Sequence, residues 1–291
     1  MTTQGTRHKA QWPRHKCTYT TLDPSLQGGF SSPPRGGVRC SKCFEPAIIK
    51  QDYSGQYFCH SHFMIDFETK AKREIRNRHC LSPNDSIAIA LSGGAASTAC
   101  LLLLHKLFSC RRDITLCAIH IDEGISSFRD LQNIISIAEE VGVLCITRTF
   151  EETYGMTVDQ YAANQEGVCV WCEKQRQLLL DQIAQEHNIT KIVYGYHLED
   201  ISRTVLTDIV KGDPSSLLYG DTRIDTKHIA PLYMIPKKEV MLYSAVTTMM
   251  QCPYAEQSVH EIDLLDQYAA RHPSVHHAIV SISHRISSKH V

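Results

Sequence analysis

Short apolar runs alternate with amphipathic stretches from residue 85 onward, and this alternation restricts the fold more than any other feature of the chain. Runs such as Ser86–Leu91 have the length and apolarity of buried strands, and the stretches between them have helical spacing. The pattern predicts an α/β fold, with a doubly wound parallel sheet covered by helices on both faces. The predicted strands are Ser86–Leu91, Ile114–Ile121, Val143–Thr149 and Lys191–Tyr196, and the predicted helices are Thr98–Phe108, Glu173–Glu186, Leu198–Val210 and one near Phe128–Val141.

The composition changes along the chain and divides it into five predicted segments. These are a disordered basic tail (1–38), a zinc finger (39–63), a basic linker helix (64–80), the α/β domain (81–235) and a helical C-terminal region (236–291). The tail and the linker helix are either phosphate-binding or solvated basic surfaces, and each taken alone is more typical of a solvated surface. The basic residues of the linker helix are Lys70, Lys72, Arg73, Arg76 and Arg78.

The cysteines occur in a chain without an apolar signal core or a run of about 18 apolar residues. We therefore expect a cytoplasmic protein without a membrane partner. In such a chain, 12 cysteines favour metal or thiolate chemistry over a disulfide framework, and their grouping in C-x-x-C pairs points the same way.

One Cys/His unit has the spacing of a tetrahedral metal site. Cys40 and Cys43 form one pair, and Cys59 and His62 form a second pair with the same separation. Two short turns of this kind, joined by a hairpin, direct four ligands at one zinc ion. His60 is the competing ligand, but the spacing from Cys59 favours His62. A unit this small needs metal to fold, so the predicted zinc is structural.

A glycine pair follows the first predicted strand and opens a helix, in the segment Ser92–Thr98. Glycine lets the backbone approach an anion, and a helix N-terminus supplies unpaired N–H groups. The segment is therefore either an anion-binding turn or a tight turn without a ligand.

This loop resembles the PP-loop of the ATP pyrophosphatases, whose usual form is Ser-Gly-Gly, any residue, Asp-Ser. Ala95 and Ala96 stand where the tRNA-thiolating branch has Lys and Asp. Over residues 39–288 the chain is similar to the tRNA 2-thiouridine synthetases, which also begin with a zinc finger. The other matching motifs are His120–Ile125, Gly195–Asp200, Gly212-Asp213, Pro231-Leu232, Lys238–Val240 and Cys252–Tyr254.

The resemblance implies an iron–sulfur site. In this family a C-x-x-C and a distant Cys before Pro-Tyr hold a 4Fe–4S cluster with one open iron for sulfur, and Cys169, Cys172 and Cys252 match those positions. A persulfide relay among the same thiols is the alternative, and a buried core cysteine is the other interpretation of Cys252. We expect thiols that share a cluster to lie about 6–7 Å apart, with Cys252 following a helix over Lys237–Met250. Core positions are expected for Cys100, Cys110, Cys117 and Cys145.

The resemblance also implies an ATP site and catalytic residues. Asp200 matches the functional acid of the family, although its position equally suits helix capping. Arg176 stands where the family has Lys, and it retains the charge without acting as a proton shuttle. Magnesium and ATP would be bound by Ser92, Gly93, Gly94, Ser97, Asp122 and Gly195.

Three functions remain open at this point. The first is an ATP-dependent tRNA uridine thiolase. The second is a PP-loop paralogue that binds tRNA or a sulfur carrier without ATP chemistry, and the third is a metal or redox sensor that uses the three thiols. The resemblance favours the first and implies tRNA as a partner, with a ubiquitin-like sulfur-carrier protein or sulfide as the donor. It leaves open the target uridine and whether the chain forms a homodimer.

Overall fold

A computed structural model describes residues 37–78, 81–126, 131–215, 224–225, 227–246, 252–254 and 259–287, without the side chains of 259–264. Most of the predicted basic tail therefore lies outside the described residues. No helix in the described ranges is long and apolar enough to cross a membrane.

The N-terminal unit is a short hairpin followed by a long helix. Strands β1 (Ile49–Lys50) and β2 (Tyr57–Phe58) pair in antiparallel register, and helix α1 (His60–Asn77) begins immediately after Cys59. Gly55 has a φ of +68° in the turn between the strands, a conformation that glycine adopts without steric cost. The predicted linker helix is therefore longer than expected and starts inside the predicted finger.

The α/β domain has the predicted parallel sheet, in the order β5-β4-β3-β6-β7. The chain runs from β3 to β4 and β5 on one side, then crosses to β6 and β7 on the other, which is the arrangement of a doubly wound sheet. The strands are β3 (Ser86–Ala90), β4 (Thr115–Asp122), β5 (Leu144–Thr149), β6 (Lys191–Val193) and β7 (His228–Ile229). The helices of the domain and the C-terminal region are α2 (Ala95–Phe108), α3 (Leu131–Val141), α4 (Phe150–Tyr154), α5 (Val158–Ala162), α6 (Val168–Glu186), α7 (Leu198–Val210), α8 (Lys237–Ser244), α9 (Val259–Arg271) and α10 (Val275–Ser287).

Alternate residues of the central strand enter separate cores on the two faces of the sheet. Ile87 and Ile89 of β3 pack in the core that includes α2 and α3, whereas Ala88 packs in the core that includes α6. This alternation follows from the two-residue period of a strand. The fold is therefore the predicted one, with helices on both faces and a helical C-terminus.

Two helix boundaries differ from the prediction. Helix α6 begins at Val168, five residues earlier than the predicted Glu173, because Gly167 takes a left-handed conformation at the N-cap. The C-x-x-C pair consequently lies inside the helix rather than before it. Helix α8 ends at Ser244, where Ala245 has a φ of +55°, so the predicted helix over Lys237–Met250 does not continue unbroken; residues 247–250 lie outside the described residues.

The linker helix packs on the α/β domain, so its basic run is not simply a solvated face. Phe67 stacks on Tyr243 of α8 with ring centroids 4.0 Å apart. Lys70 lies 3.0 Å from the buried Glu239, and Lys106 of α2 lies 2.5 Å from Glu68. These contacts fix the N-terminal unit against one face of the domain.

Candidate functional site

The glycine loop connects β3 to α2 in a conformation that requires glycine. Gly93 has a φ of +78°, and a Cβ on it would lie 2.7 Å from Ile134 Cγ1. Gly94 is the N-cap of α2, so the N–H groups of Ala95, Ala96 and Ser97 have no acceptor within the helix. The turn therefore presents backbone donors at the positive end of a helix.

Serine side chains brace this loop from within. Ser97 Oγ accepts a hydrogen bond from Ser92 N at 3.2 Å and donates to Gly94 O at 3.0 Å. The ring Nδ1 of His120, on β4, lies 2.8 Å from Leu91 O, just before the loop. Ser97 was expected to line the anion site, and in the structure its hydroxyl holds the loop in shape.

Gly195 packs directly against the first turn of α2. A Cβ at this position would lie 2.7 Å from both Ala96 C and Ser97 N. Only glycine lets the end of β6 approach the loop this closely. The structure therefore brings the predicted Gly195 to the glycine loop, where its visible role is packing.

Two of the predicted acids lie where strands or loops leave the same edge of the sheet. Asp122 ends β4, and its Oδ1 accepts a hydrogen bond from Gly124 N at 2.8 Å. Asp200 accepts one from His197 N at 3.0 Å, so it caps α7 as the alternative interpretation proposed. Asp200 remains 35% exposed, which leaves its carboxylate accessible to a ligand.

The C-x-x-C pair lies in the first two turns of α6. The Cys169 thiol donates a hydrogen bond to the carbonyl oxygen of Tyr254, two residues after Cys252. Cys172 is buried, and Arg176 follows it by one helical turn. The fold thus brings the segment that carries Cys252 to the C-x-x-C pair, although more than 80 residues separate them in the sequence.

Arg176 is held by a buried carboxylate that sequence reasoning missed. Arg176 Nη1 lies 3.2 Å from Glu123 Oε1, and the Glu123 side chain is 3% exposed. Burial lowers the pKa of Arg176, but the charges of Glu123 and Cys172 outweigh that effect and raise it. Glu123 lies in the motif His120–Ile125, which provides the sequence signal, but the resemblance points to the neighbouring Asp122.

Asp159 is a second acid that sequence reasoning missed. Its Oδ1 accepts a hydrogen bond from Tyr254 Oη at 2.8 Å, and its Oδ2 accepts from Ser126 N at 2.8 Å and Ser126 Oγ at 2.5 Å. These bonds lower the pKa of Asp159, chiefly those from Ser126. No local sequence pattern connects these residues.

The four predicted zinc ligands converge in the N-terminal unit. Their ligand atoms all lie within 4.8 Å of one another, with Cys43 Sγ 3.6 Å from Cys59 Sγ, and His62 Nδ1 3.3 Å from Cys59 Sγ and 3.5 Å from Cys40 Sγ. A tetrahedral ion with bonds of about 2.0–2.3 Å holds its ligand atoms about 3.3–3.8 Å apart. The arrangement therefore fits one metal ion and selects His62 over the exposed His60.

The environment of Cys40 favours a thiolate. Burial raises the pKa of the Cys40 thiol, but hydrogen bonds from the backbone of Cys59 and of Lys42, among others, outweigh burial and lower that pKa to about 6. A thiolate is the form that binds metal. Among the described residues, Cys40, Cys43, Cys59 and His62 are the group of Cys, His and acidic side chains that converges closely enough to hold one metal ion.

The remaining cysteines mostly occupy the expected core positions. Cys100 and Cys117 are fully buried, and burial raises the pKa of Cys117 to about 12. Cys145 is partly buried, and burial raises its pKa to about 11. The expectation for Cys110 is wrong: it is exposed and disulfide-bonded, because it lies just after the end of α2.

Two protein-family models match the chain. The model described as a PP-loop domain matches residues 65–258, and the N-terminal LIM domain of the 2-thiouridine synthetase TtuA matches residues 39–64. These matches confirm the resemblance predicted from the sequence motifs.

Curated relatives share the same biochemical description. Cytoplasmic tRNA 2-thiolation protein 1 of Aspergillus niger is 30% identical over 219 residues, which cover 70% of this chain and 64% of that protein. The tRNA 2-thiolation protein NcsA of Haloferax volcanii is 28% identical over 274 residues, which cover 84% of this chain and 85% of that protein. The chain thus spans less than two thirds of the first relative and most of the second.

A solved structure has the same fold. It is the U34-tRNA thiolase NcsA of Methanococcus maripaludis with its 4Fe–4S cluster, at a TM-score of 0.77 and 26% identity. The alignment covers 87% of this chain and 89% of that one. The likeness therefore extends over most of both chains.

Proposed function

This chain belongs to the PP-loop family that includes the tRNA 2-thiolation proteins, and from that membership we propose that it replaces the 2-oxygen of a tRNA uridine by sulfur. The observation that carries the proposal is the contact between Cys169 and the backbone of Tyr254. This contact supports a site in which the Cys252 segment lies beside the C-x-x-C pair.

Cys169, Cys172 and Cys252 are the proposed ligands of a 4Fe–4S cluster. The donor set suits such a cluster, because three thiols are available and the Cys169 thiol contacts the backbone of Tyr254, two residues after Cys252. Bound there, the cluster supplies an iron with a free coordination position for sulfur. Cys172 would hold it one helical turn from Arg176, whose permanent positive charge would stabilise negative charge at the reacting atoms.

ATP is the proposed activating substrate. The loop from Ser92 to Ser97, with Gly195 against it, offers backbone N–H groups for phosphate oxygens. Transfer of AMP to the uridine oxygen releases pyrophosphate, and attack by sulfur then releases that oxygen with AMP. Magnesium would depend on phosphate oxygens, water and Asp122, because Ala95 and Ala96 supply no carboxylate.

Asp200 is proposed to act at the mouth of this site. Its capping bond to His197 N fixes one carboxylate oxygen, and its partial exposure leaves the group open to substrate. Arg176 stays protonated, so a proton transfer in this site would fall to Asp200 or to water.

The N-terminal unit is proposed to bind a structural zinc through Cys40, Cys43, Cys59 and His62. A closed four-ligand site leaves no open coordination position, so its role is to hold the unit against the domain. Exposed Arg73 and Arg76 of α1 then offer positive charge to the tRNA backbone. The proposed compartment is the cytoplasm, as in the name of the Aspergillus niger relative.

The test is tRNA thiolation by anaerobically reconstituted protein. Unmodified tRNA, ATP, magnesium and sulfide are supplied, and 2-thiouridine is measured by mass spectrometry of nucleosides. We expect ATP-dependent product that disappears in Cys252→Ser. Binding of tRNA without ATP binding and without product would favour the paralogue without ATP chemistry, for which Ala95 and Ala96 are the supporting observation. No product, with no iron bound, would overturn the proposal.

A further inference from the structure

The Cys252 segment is attached to the rest of the described domain by its tyrosine. Tyr254 donates its hydroxyl to Asp159 Oδ1 at 2.8 Å, and its carbonyl oxygen accepts from the Cys169 thiol. The Tyr254 ring packs against the core that includes α6. The contacts of Tyr254 therefore restrict the position of Cys252, which lies two residues earlier in the chain.

The position of Asp159 is also fixed by contacts other than its bond to Tyr254. It lies in the first turn of α5, whose N-terminus is closed by a capping box between Thr157 and Gln160. Its other oxygen is bound twice by Ser126, in the loop that follows β4. Val158 N also donates to Glu123 O at 2.9 Å, in that same loop. The carboxylate is thus presented to Tyr254 by two anchored segments.

We propose that Asp159 is a positioning residue, which holds Cys252 beside Cys169 and Cys172 through the hydroxyl of Tyr254. The inference rests on the proposed function in one respect, that these thiols share a cluster. The Cys169–Tyr254 contact cannot perform this role once Cys169 binds iron, because a thiolate has no proton to donate. The Asp159–Tyr254 bond involves no proposed ligand and needs no proton from a thiol.

The position of this bond also connects the two halves of the site. Glu123, in the same loop after β4 as Ser126, holds Arg176 on α6. Asp159 joins the same loop to the Cys252 segment. The loop after β4 therefore sets the positions of both Arg176 and Cys252.

The test is thiol crosslinking of the metal-free full chain with dibromobimane, followed by peptide mapping. Tyr254→Phe removes the hydroxyl and retains the ring. Its matched control is Tyr154→Phe, which packs in the same core and loses a bond of similar length, 2.9 Å to Gln175 O. A hydrogen bond to a carboxylate shifts an equilibrium by about tenfold or more. The yield of the Cys169–Cys252 crosslink reports how often the Cys252 segment lies beside Cys169. We expect the ratio of chains with the segment in this position to chains without it to fall by about tenfold in Tyr254→Phe and to stay unchanged in Tyr154→Phe.

Two further measurements test whether Asp159 and Tyr254 act through their shared hydrogen bond. The Cys169–Cys172 product, formed within α6, should be equal in all variants. Asp159→Ala should cause a loss like that of Tyr254→Phe, and the double variant should lose no more than the stronger single variant. Equal Cys169–Cys252 yields in Tyr254→Phe and Tyr154→Phe would overturn the inference, as would a parallel loss of the Cys169–Cys172 product.

Anaerobic reconstitution then separates this inference from the proposed function. We expect about four irons per chain in the wild type and in Tyr154→Phe, and fewer in Tyr254→Phe. If the wild type binds no iron but the crosslinking pattern is as expected, the positioning role stands and the cluster proposal fails. If all variants bind iron equally, the positioning role fails and the cluster proposal stands.

Discussion

Arg176 and Glu123 form an ion pair of 3.2 Å that joins α6 to the loop after β4. The carboxylate is almost fully buried, whereas the Arg176 side chain is 39% exposed. An arginine held in this way directs a fixed charge towards the thiols at the start of α6. The position of Arg176 is set by Glu123, which is distant in the sequence from Arg176 and from these thiols.

Glu123→Gln should therefore reduce turnover without weakening tRNA binding. Loss of the charge frees Arg176 to leave its orientation, and a misplacement of about 1 Å costs about 100-fold in rate. The unfolding free energy should fall by about 1–2 kcal/mol, reduced from the value of a fully buried pair because Arg176 is partly exposed. The measurement is steady-state thiolation with varied tRNA, beside Glu152→Gln on the exposed side of α4 as the control. An unchanged kcat would contradict the assigned role.

His62→Ala should remove the metal of the N-terminal unit, and His60→Ala should not. His62 Nδ1 lies 3.3 Å from Cys59 Sγ, whereas His60 is exposed at the start of α1. Because metal binding supplies the stability of such a unit, the melting temperature should fall only in His62→Ala. Zinc per chain, measured by mass spectrometry of the metal, decides the matter. Equal zinc in the two variants would show that the ligand set is different.

Restoring charge to the glycine loop should strengthen ATP binding. The double variant Ala95→Lys with Ala96→Asp adds one phosphate partner and one carboxylate beside the backbone donors of α2. We expect a gain in affinity of about tenfold, which is the contribution of one charge-assisted interaction. The gain should need magnesium, since a carboxylate repels phosphate without a cation. Calorimetry with and without magnesium tests this, and an affinity equal to that of the wild type would count against the placement of the loop.

Glu199→Gln should change the acid sensitivity of the fold. Burial raises the pKa of Glu199, but His197 and the backbone N–H of Lys237 outweigh burial and lower it. A carboxylate whose folded pKa is depressed stabilises the protein above its unfolded pKa of about 4.3, and this contribution is lost as the pH falls through the folded value. The variant should thus be less stable by about 1–2 kcal/mol at pH 7, and the difference should shrink as the pH falls through the folded pKa of Glu199.

Urea unfolding from pH 7 to pH 3 measures this difference. Glu140→Gln, at an exposed position on α3, is the control. A difference between wild type and Glu199→Gln that stays constant over the whole range would show that the charge of Glu199 is not responsible.

Local sequence patterns determined the parts of this protein that depend on neighbouring residues. The two-residue alternation of Ile87, Ala88 and Ile89 specified a strand buried on both faces, and Gly93 and Gly94 specified the turn into α2. The spacing of Cys40, Cys43 and Cys59 specified a metal unit. Backbone geometry fixes such relationships within a few residues, so they are readable before the chain is folded.

Tertiary structure alone decided which distant side chains meet. Glu123 lies 53 residues from Arg176, and Asp159 lies 95 residues from Tyr254. The early start of α6 at Gly167 and the end of α8 at Ala245 were likewise set by single residues in left-handed conformations. Neither a strand period nor a helical period constrains a pairing across such distances. Such a pairing arises from how the loops pack once the sheet has formed. The buried carboxylate of Glu123 and the hydrogen-bonded hydroxyl of Tyr254 need partners, and only the folded chain supplies them.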